Sequence, residues 1–430
     1  MSRSLRQRVL AGSGANAFGQ AITIGIQLFS LPLFLHYWDV STYGSWLILS
    51  AIPSYLSMAD VGMVTAAGNR MTMAMGRRDI ASANTTFHSA LVFMLVVCGL
   101  LFLLLVPASL WLPISGLSTT TDYRLATAAL STSVLLALFG GLAEAVFKAS
   151  NRYPLGTLLG QLIRLAEWIG YMLGLYLVGT FSGVAIGGLV ARAMGLCVIV
   201  ALAMRGDHGI RWGVGRAEWA EVRAVVKPAI SFMLFPIAFA LSFQGVTLLV
   251  GQLFGPAAVA VVNTYRTIAR VSVQLNSVFS HALWPEFSRL YGEGGGAAVQ
   301  SLYRRAAWGG LGFALVSCGA LYMAAPWLLK LWTHDAISFH PLLMLLMLGY
   351  AAVSAAGHVP RTLLIATNEH HALAKCMVAA AVCLLAATAG LANYVGMSAV
   401  GFSMLVSELA VTAACVWLSE KLIFNLKKAF

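Results

Sequence analysis

Charge is what this chain has least of. Of its 430 residues, 10% are Asp, Glu, Lys or Arg, while 60% are hydrophobic, and the mean hydropathy is +0.83. A water-soluble domain carries about 25% charged residues, so too little charge is present to solvate a globular surface, and that class is excluded. Acid is scarcer than base: 15 Asp and Glu stand against 27 Lys and Arg. The six cysteines (Cys98, Cys197, Cys318, Cys376, Cys383 and Cys415) all lie in apolar runs without a CxxC pair. They read as small packing hydrophobes, and neither a redox nor a metal role is indicated. Long outer loops are also missing. The short loops hold no clustered carboxylate, histidine or nucleophile set, and "GEGGG" at Gly292 lacks the lysine of a phosphate-binding loop. Chemistry on an outer domain is therefore excluded, and no cofactor or metal is expected.

What the chain does have is apolar runs long enough to cross a bilayer, about 20 residues each. Twelve are expected, at roughly 12–35, 44–66, 87–111, 124–147, 155–178, 181–203, 228–250, 256–283, 305–327, 339–359, 372–393 and 397–419. The basic start "MSRSLRQR" precedes a run too long for a signal h-region, so the first span reads as uncleaved. About 21 of the Lys and Arg fall on one side of this topology and only Arg124 and Lys330 on the other. The positive-inside bias then places both termini in the cytoplasm. The net charge of +12 is mostly this asymmetry, not a nucleic-acid footprint.

Two halves echo each other. Ala149-Ser150-Asn151 follows the fourth span and Ala366-Thr367-Asn368 the tenth, 217 residues later. An even number of spans per half gives a parallel repeat with a pseudo-two-fold axis along the membrane normal. The expected organisation is an all-α polytopic protein with a six-helix lobe over 1–203, a linker over 204–227, and a second six-helix lobe over 228–430. The latter part of the linker reads as an amphipathic surface helix or as a plain connection with a snorkelling face. Pro53 and Pro236 fall inside spans and read as bends or packing kinks.

The eighth span carries the sharpest polar signal. Asn263, Arg266, Arg270, Gln274, Ser277 and His281 fall within an arc of roughly 80° on a helix otherwise rich in Val, Ala and Leu. At 1.5 Å per residue, Arg266 and Arg270 lie roughly 15 and 21 Å below Pro256, near mid-membrane. Each costs about 2.5–3.5 kcal/mol to place there. Either both look into water or onto an anion, or they are satisfied by carbonyls or a carboxylate of a neighbouring helix. The repeat offset carries them back to Ser50 and Ser54, so the halves differ in charge.

Weaker polar faces are Asn16, Gln20, Thr23 and Gln27 in the first span, and Gln161, Arg164, Trp168 and Tyr171 in the fifth. Glu167, three residues after Arg164, is spaced to pair with it. Arg192 is deep in the sixth span, and Glu144 and Lys148 are spaced to pair in the fourth. Asp60, Glu144, Glu167 and Glu408 are the deep acids, each able to carry a coupling ion or to balance an arginine.

The stretches "YGSWLILSAIPSYLSMADVGMVTAAGNR", "LFGPAAVAVVNTYRTIARVSVQLNSVFSHALWPEFSRL" and "LLIATNEHHALA", with twelve spans in duplicated halves, resemble the polysaccharide-export and O-antigen flippases of the multidrug, oligosaccharidyl-lipid and polysaccharide transporter superfamily. That resemblance implies translocation of a polyprenyl-diphosphate-linked oligosaccharide from the inner to the outer leaflet of a bacterial inner membrane. It implies alternating access through a cationic cavity, onto which Arg266 and Arg270 map. The implied partners are the lipid-linked anionic oligosaccharide, membrane lipids, a coupling proton or sodium ion, and glycan-assembly proteins. A multidrug extruder of the same superfamily is the alternative, with carboxylates wanted where span eight has guanidinium groups. A membrane glycan polymerase or ligase is a further one.

Overall fold

The computed structural model describes residues 3–59, 62–111, 121–205, 209–283, 287, 290, 296–367 and 371–429, with side chains described within these except at 3–17, 110–111, 227–232, 278–279, 281–282, 366, 371 and 424–429. Every regular element among them is helical. They are α1 (Arg3–Tyr37), α2 (Val40–Ser54), a 3₁₀ turn (Tyr55–Met58), α3 (Met63–Gly76), α4 (Ile80–Trp111), α5 (Thr121–Ala149), α6 (Tyr153–Leu177), α7 (Phe181–Met204) and α8 (Trp219–Phe232). There follow α9 (Leu234–Ala240), a π turn (Leu241–Gly245), α10 (Val246–Phe254), α11 (Pro256–Ala282), α12 (Gly296–Thr333), α13 (Pro341–Ala356), α14 (His358–Ala366), α15 (His371–Val395) and α16 (Ser398–Ala429).

Ten helical stretches among the described residues are long and apolar enough to cross a membrane. The two expected spans missing from that set are α6 and α11, of 25 and 27 residues. They have the length but carry the polar stripes built on Arg164 and Arg266, which lower their hydropathy. Three spans are interrupted. The 3₁₀ turn follows Pro53, the π turn lies five residues beyond Pro236, and the break between α13 and α14 falls at Gly357, three residues before Pro360. At the last of these breaks the Pro360 ring nitrogen cannot donate to the carbonyl of Ala356, four residues back, and α13 ends there. Exposed apolar side chains cover several faces, such as Leu100, Leu103 and Leu104 on α4 and Trp308, Met323 and Trp327 on α12. Faces of that kind suit hydrocarbon rather than water.

The chain divides into two compact units. One comprises residues 1–38 and 49–233, the other 39–48 and 234–430. Within the first unit, α6 and α7 approach through a matched pair of glycine steps. A Cβ on Gly170 would overlap the Gly187 carbonyl, and one on Gly174 the Gly183 carbonyl. Small residues four apart on both helices let backbones touch, the usual basis of tight helix pairing in membranes. Asp122 at the start of α5 accepts from the backbone N–H groups of Phe181 (3.1 Å) and Ser182 (2.8 Å), capping α7. The Trp38 indole at the end of α1 donates to Gly179 O at 2.7 Å.

The segment expected to link two lobes belongs to the first unit and is built into it. Ile210, Val222 and Val225 are buried in the same apolar core as Met71, Phe87, Leu142 and Ile199. Side chains on α3 and α4 hold its backbone and its acid. Asn84 donates to Gly209 O (2.9 Å) and accepts from Arg211 N (2.8 Å). Glu221 takes a two-point ion pair from Arg70 (2.9 and 2.7 Å) and a hydrogen bond from Thr86 (2.6 Å). His88 stands 2.9 Å from Arg211 O through Nε2 and accepts the Arg216 N–H through Nδ1 at 3.1 Å. A carbonyl cannot donate, so His88 is the neutral tautomer with its proton on Nε2. Removing both contacts with His88→Ala is expected to speed hydrogen exchange of the amides at 209–217 by about tenfold or more, at about 1 kcal/mol per lost bond. Exchange equal to that of the parent protein would show that the segment is held by its apolar contacts alone.

In the second unit, the first half of α2 packs against the start of α11, where a Cβ on Gly44 would overlap the Pro256 carbonyl. Asp39 caps α2 by accepting from Thr42 N at 2.6 Å, and that bond holds its carboxyl below the usual carboxylate range. Phe287, Val299, Tyr303, Val359, Leu363 and Ile423 form one apolar core, and Ala238, Leu364, Leu373, Met377, Val411 and Cys415 another.

The repeated tripeptide has a physical meaning. Ser150 Oγ donates to Val146 O (2.8 Å) and Phe147 O (3.2 Å), the last carbonyls of α5. Asn151 then turns left-handed at φ +60°, and the Arg152 N–H closes back on Phe147 O at 2.8 Å. This is a Schellman-type helix stop with asparagine as the left-handed residue. Thr367 repeats the hydroxyl half of it on α14, donating to Leu363 O (2.9 Å) and Leu364 O (3.3 Å). Asn368 lies outside the described residues.

Candidate functional site

The polar stripe of α11 does not behave as one surface. Arg266 is 7% exposed and held by three neutral acceptors. It donates to Phe243 O (3.1 Å), Thr247 Oγ1 (3.2 Å) and Asn263 Oδ1 (3.0 Å). Asn263 in turn contacts the Tyr43 hydroxyl from α2. The π turn makes this possible, because its altered register leaves Phe243 O able to serve several donors. Val246 N, Thr247 Oγ1 (2.8 Å) and Arg266 all converge on it. The Phe243 ring sits under both guanidinium groups, 5.1 Å from the Arg266 carbon and 5.2 Å from that of Arg270. Cations over a ring face within about 6 Å gain most where water is excluded.

Arg270 is half-buried and, beyond that ring, has no hydrogen-bond or ion-pair partner among the described residues. Neither arginine is matched by a carboxylate there. Two positive charges stand one helical turn apart on neutral support, and the N–H groups of the deeper one remain available. Gln274 and Ser277 continue the stripe, with Ser277 turned back to donate to Gln274 O at 2.7 Å. The His281 side chain lies outside the described residues. Phe243 and Thr247 escaped the sequence reading. The signal that marks them is the polar break "SFQG" in an otherwise apolar span.

In the first unit the expected pairings are redistributed. Arg164 does not pair with Glu167. It is exposed and donates to Thr23 Oγ1 on α1 at 3.1 Å. Glu167 is buried and pairs at two points with Arg192 of α7 (Nε to Oε1 at 2.8 Å, and Nη2 to Oε2), and it also accepts from Ser133 (2.7 Å) and Tyr171 (3.0 Å). The reason is geometric. Arg164 lies on the face of α6 turned to α1, whereas Glu167 faces α5 and α7, where the glycine contacts bring Arg192 close. Arg192 is therefore a cross-link among three helices. Glu144 does not pair with Lys148, which donates to Asn69 Oδ1 at 2.9 Å. The Glu144 carboxylate instead lies over Gly160 of α6, without a hydrogen-bond partner among the described residues. Glu408 is paired with Arg361 at 3.1 Å. Gln20 is exposed on α1, while Asp60 and the Asn16 side chain lie outside the described residues.

No model of a protein family matches the sequence, and no curated protein does. Solved structures do. The chain is similar over 94% of its length, and 96% of the other, to an inward-facing multidrug resistance MATE family transporter of the MOP superfamily, with a TM-score of 0.78 and 13% identity. It is similar to an outward-facing MATE family transporter with a TM-score of 0.64 and 14% identity, over 98% and 95% of the two chains. A MATE protein in complex with MaL6 gives 0.66 at 12% identity, over 98% and 95%. Two compact helical units and, among the described residues, twelve membrane-length segments, ten apolar and two polar-striped, give this chain the all-helical fold of the MATE transporters of the MOP superfamily.

Proposed function

We propose that this chain is a membrane transporter of the MOP type that translocates a polyprenyl-diphosphate-linked oligosaccharide from the inner to the outer leaflet of a bacterial inner membrane. One observation carries the reading: among the described residues Arg266 and Arg270 lie deep in α11 with neutral partners only, so the site is positively charged and unbalanced. A diphosphate is the complementary ligand. Guanidinium forks donate paired, charge-assisted hydrogen bonds to phosphate oxygens. Arg266, fixed by three acceptors, supplies field. Arg270, whose N–H groups have no acceptor among the described residues, supplies the hydrogen bonds, and Gln274 one turn on has the amide chemistry to meet a sugar hydroxyl. On the first unit, Arg164 and Gln20 are exposed polar groups, whereas Arg192 is committed to Glu167. The topology that suits this direction has both termini in the cytoplasm, with the excess Lys and Arg inside.

Energetics favour export. An inside-negative potential of 100 mV contributes about 2.3 kcal/mol per charge moved outward across the full field. Of the acids, Glu144 is best placed to carry a coupling proton, because Glu167 and Glu408 are held by arginines. Proteoliposomes loaded with a fluorescent polyprenyl-diphosphate oligosaccharide test the reading. Flipping is expected, and an imposed potassium diffusion potential, negative on the cytoplasmic side, should speed it. No flipping with any lipid-linked sugar would overturn the proposal.

The likeness to multidrug transporters favours a second reading, drug extrusion. It predicts resistance to cationic drugs on expression. The unbalanced arginines disfavour it, since like charge repels such substrates from the site.

A further inference from the structure

The second unit contains a small, partly enclosed cavity, apolar over much of its wall but with a charged and hydroxyl-bearing side, that transport does not account for. It has a volume of about 60 Å³ and lies among α9, the π turn, α13, α14, α15 and α16. That is room for a handful of waters at roughly 10–15 Å³ each, or for one small ion with a water or two. Arg361 and Glu408 line it, with Tyr350, Ser242, Ser354, Ser407 and Phe243. Ser407 is spent on Ala380 O at 3.1 Å. The hydroxyls of Tyr350, Ser242 and Ser354 have no hydrogen-bond partner among the described residues. Arg361 Nη2 donates to Glu408 Oε1 at 3.1 Å and the Cys415 thiol sits beside the same guanidinium, yet its buried Nε–H has no acceptor among the described residues.

Two facts choose the ligand. The unfilled positions are mostly donors: one guanidinium N–H and three hydroxyls able to turn inward. The charge around them is also one-sided. The buried Tyr350 lies within electrostatic reach of Arg266, Arg270, Arg361 and Glu408, three positive groups against one negative. An uncompensated pair of positive charges in low dielectric is costly. A cation in the cavity would worsen that imbalance and face Arg361, and waters alone would leave it. We propose that this cavity binds one small monovalent anion of the halide class, held by Arg361 Nε–H and the Tyr350 and Ser354 hydroxyls, as a structural counter-ion for the arginine cluster of α11 and α14. One bound anion lowers the excess of the cluster from two positive charges to one, and neither Arg266 nor Arg270 lines the cavity, so a cationic site on α11 remains.

The test uses the full chain purified in detergent with no transport substrate. Thermal unfolding is followed as chloride replaces gluconate at constant ionic strength and constant sodium. A saturable rise in midpoint with chloride is expected, because an ion that binds only the folded state stabilises it. Tyr350→Phe and Ser354→Ala each remove one donor without removing a charge, and each is expected to weaken the apparent chloride affinity roughly tenfold. Crystals grown in bromide should show one anomalous peak in the cavity. Midpoints equal in chloride and gluconate would overturn the proposal. So would a saturable response to sodium instead, a chloride response unchanged in both variants, or a bromide-free cavity. None of these readouts involves flipping, so loss of this proposal and loss of the transport reading are told apart.

Discussion

Arg270→Ala is expected to lower the rate of diphosphate-linked oligosaccharide flipping by about thirty- to several-thousand-fold, the effect of removing one partner of a desolvated charge pair worth 2–5 kcal/mol. The stability of the protein should be nearly unchanged, since this guanidinium has no hydrogen-bond or ion-pair partner among the described residues and lies over the Phe243 ring. Arg270→Lys keeps the charge and loses the planar fork, so an intermediate rate is expected. Arg266→Ala is a poorer probe. It strips a donor from Phe243 O, Thr247 and Asn263 at once, and lost transport would come with lost stability. Flipping in proteoliposomes, with thermal unfolding measured on the same preparations, separates the cases. A folded Arg270→Ala protein that flips at the parental rate would remove α11 from the substrate path.

The size of this effect follows from how the two arginines are supported. A guanidinium deep in a membrane is tolerated when its donors are satisfied, and carboxylates do that at the cost of cancelling its charge. Here the π turn supplies a carbonyl, Thr247 a hydroxyl, Asn263 an amide and Phe243 a ring face. All four satisfy or shelter positive charge without neutralising it. Arg192 and Arg361 show the opposite solution, each paired with a glutamate. The contrast lies within one protein, so depth alone does not mark a substrate group; the chemistry of the acceptors does.

Much of the architecture was legible because periodicity and composition act locally. Twelve runs of membrane length, short loops and the polar arc of α11 follow from residue spacing alone. The Ala-Ser-Asn echo was visible as letters, and its meaning as a helix stop needed the backbone, where Asn151 turns left-handed. Pairing was the least legible. Arg164 and Glu167 have the right spacing on one helix, yet α6 presents them to different neighbours. Which neighbour is closest depends on Gly170 and Gly174 meeting Gly183 and Gly187, a contact between helices that spacing within one helix does not encode. The packing of the 204–227 segment was illegible for a related reason. Its polar residues look like a solvated connection, but Asn84 and His88 of α4 bond its backbone, and its Glu221 is held by Arg70 of α3 and Thr86 of α4.

The largest expected effect on stability belongs to the Glu167 network. Glu167→Ala should cost about 3–5 kcal/mol, because it leaves the half-buried Arg192 guanidinium uncompensated. Ser133 and Tyr171 lose their acceptor in the same step, which adds to the penalty. The double change Glu167→Leu with Arg192→Met should recover most of the loss, since no charge then remains to desolvate. Guanidinium-chloride unfolding in detergent, read by tryptophan fluorescence, measures both. Glu144→Gln is the matched control. That carboxylate has no hydrogen-bond partner among the described residues, so its replacement should leave the unfolding midpoint within about 0.5 kcal/mol of the parent. If the coupling proton rides on Glu144, the same variant should make flipping insensitive to an imposed pH gradient. The two glutamates, both deep in the first unit, would then divide cleanly: one holds three helices together, and the other is free to change its charge.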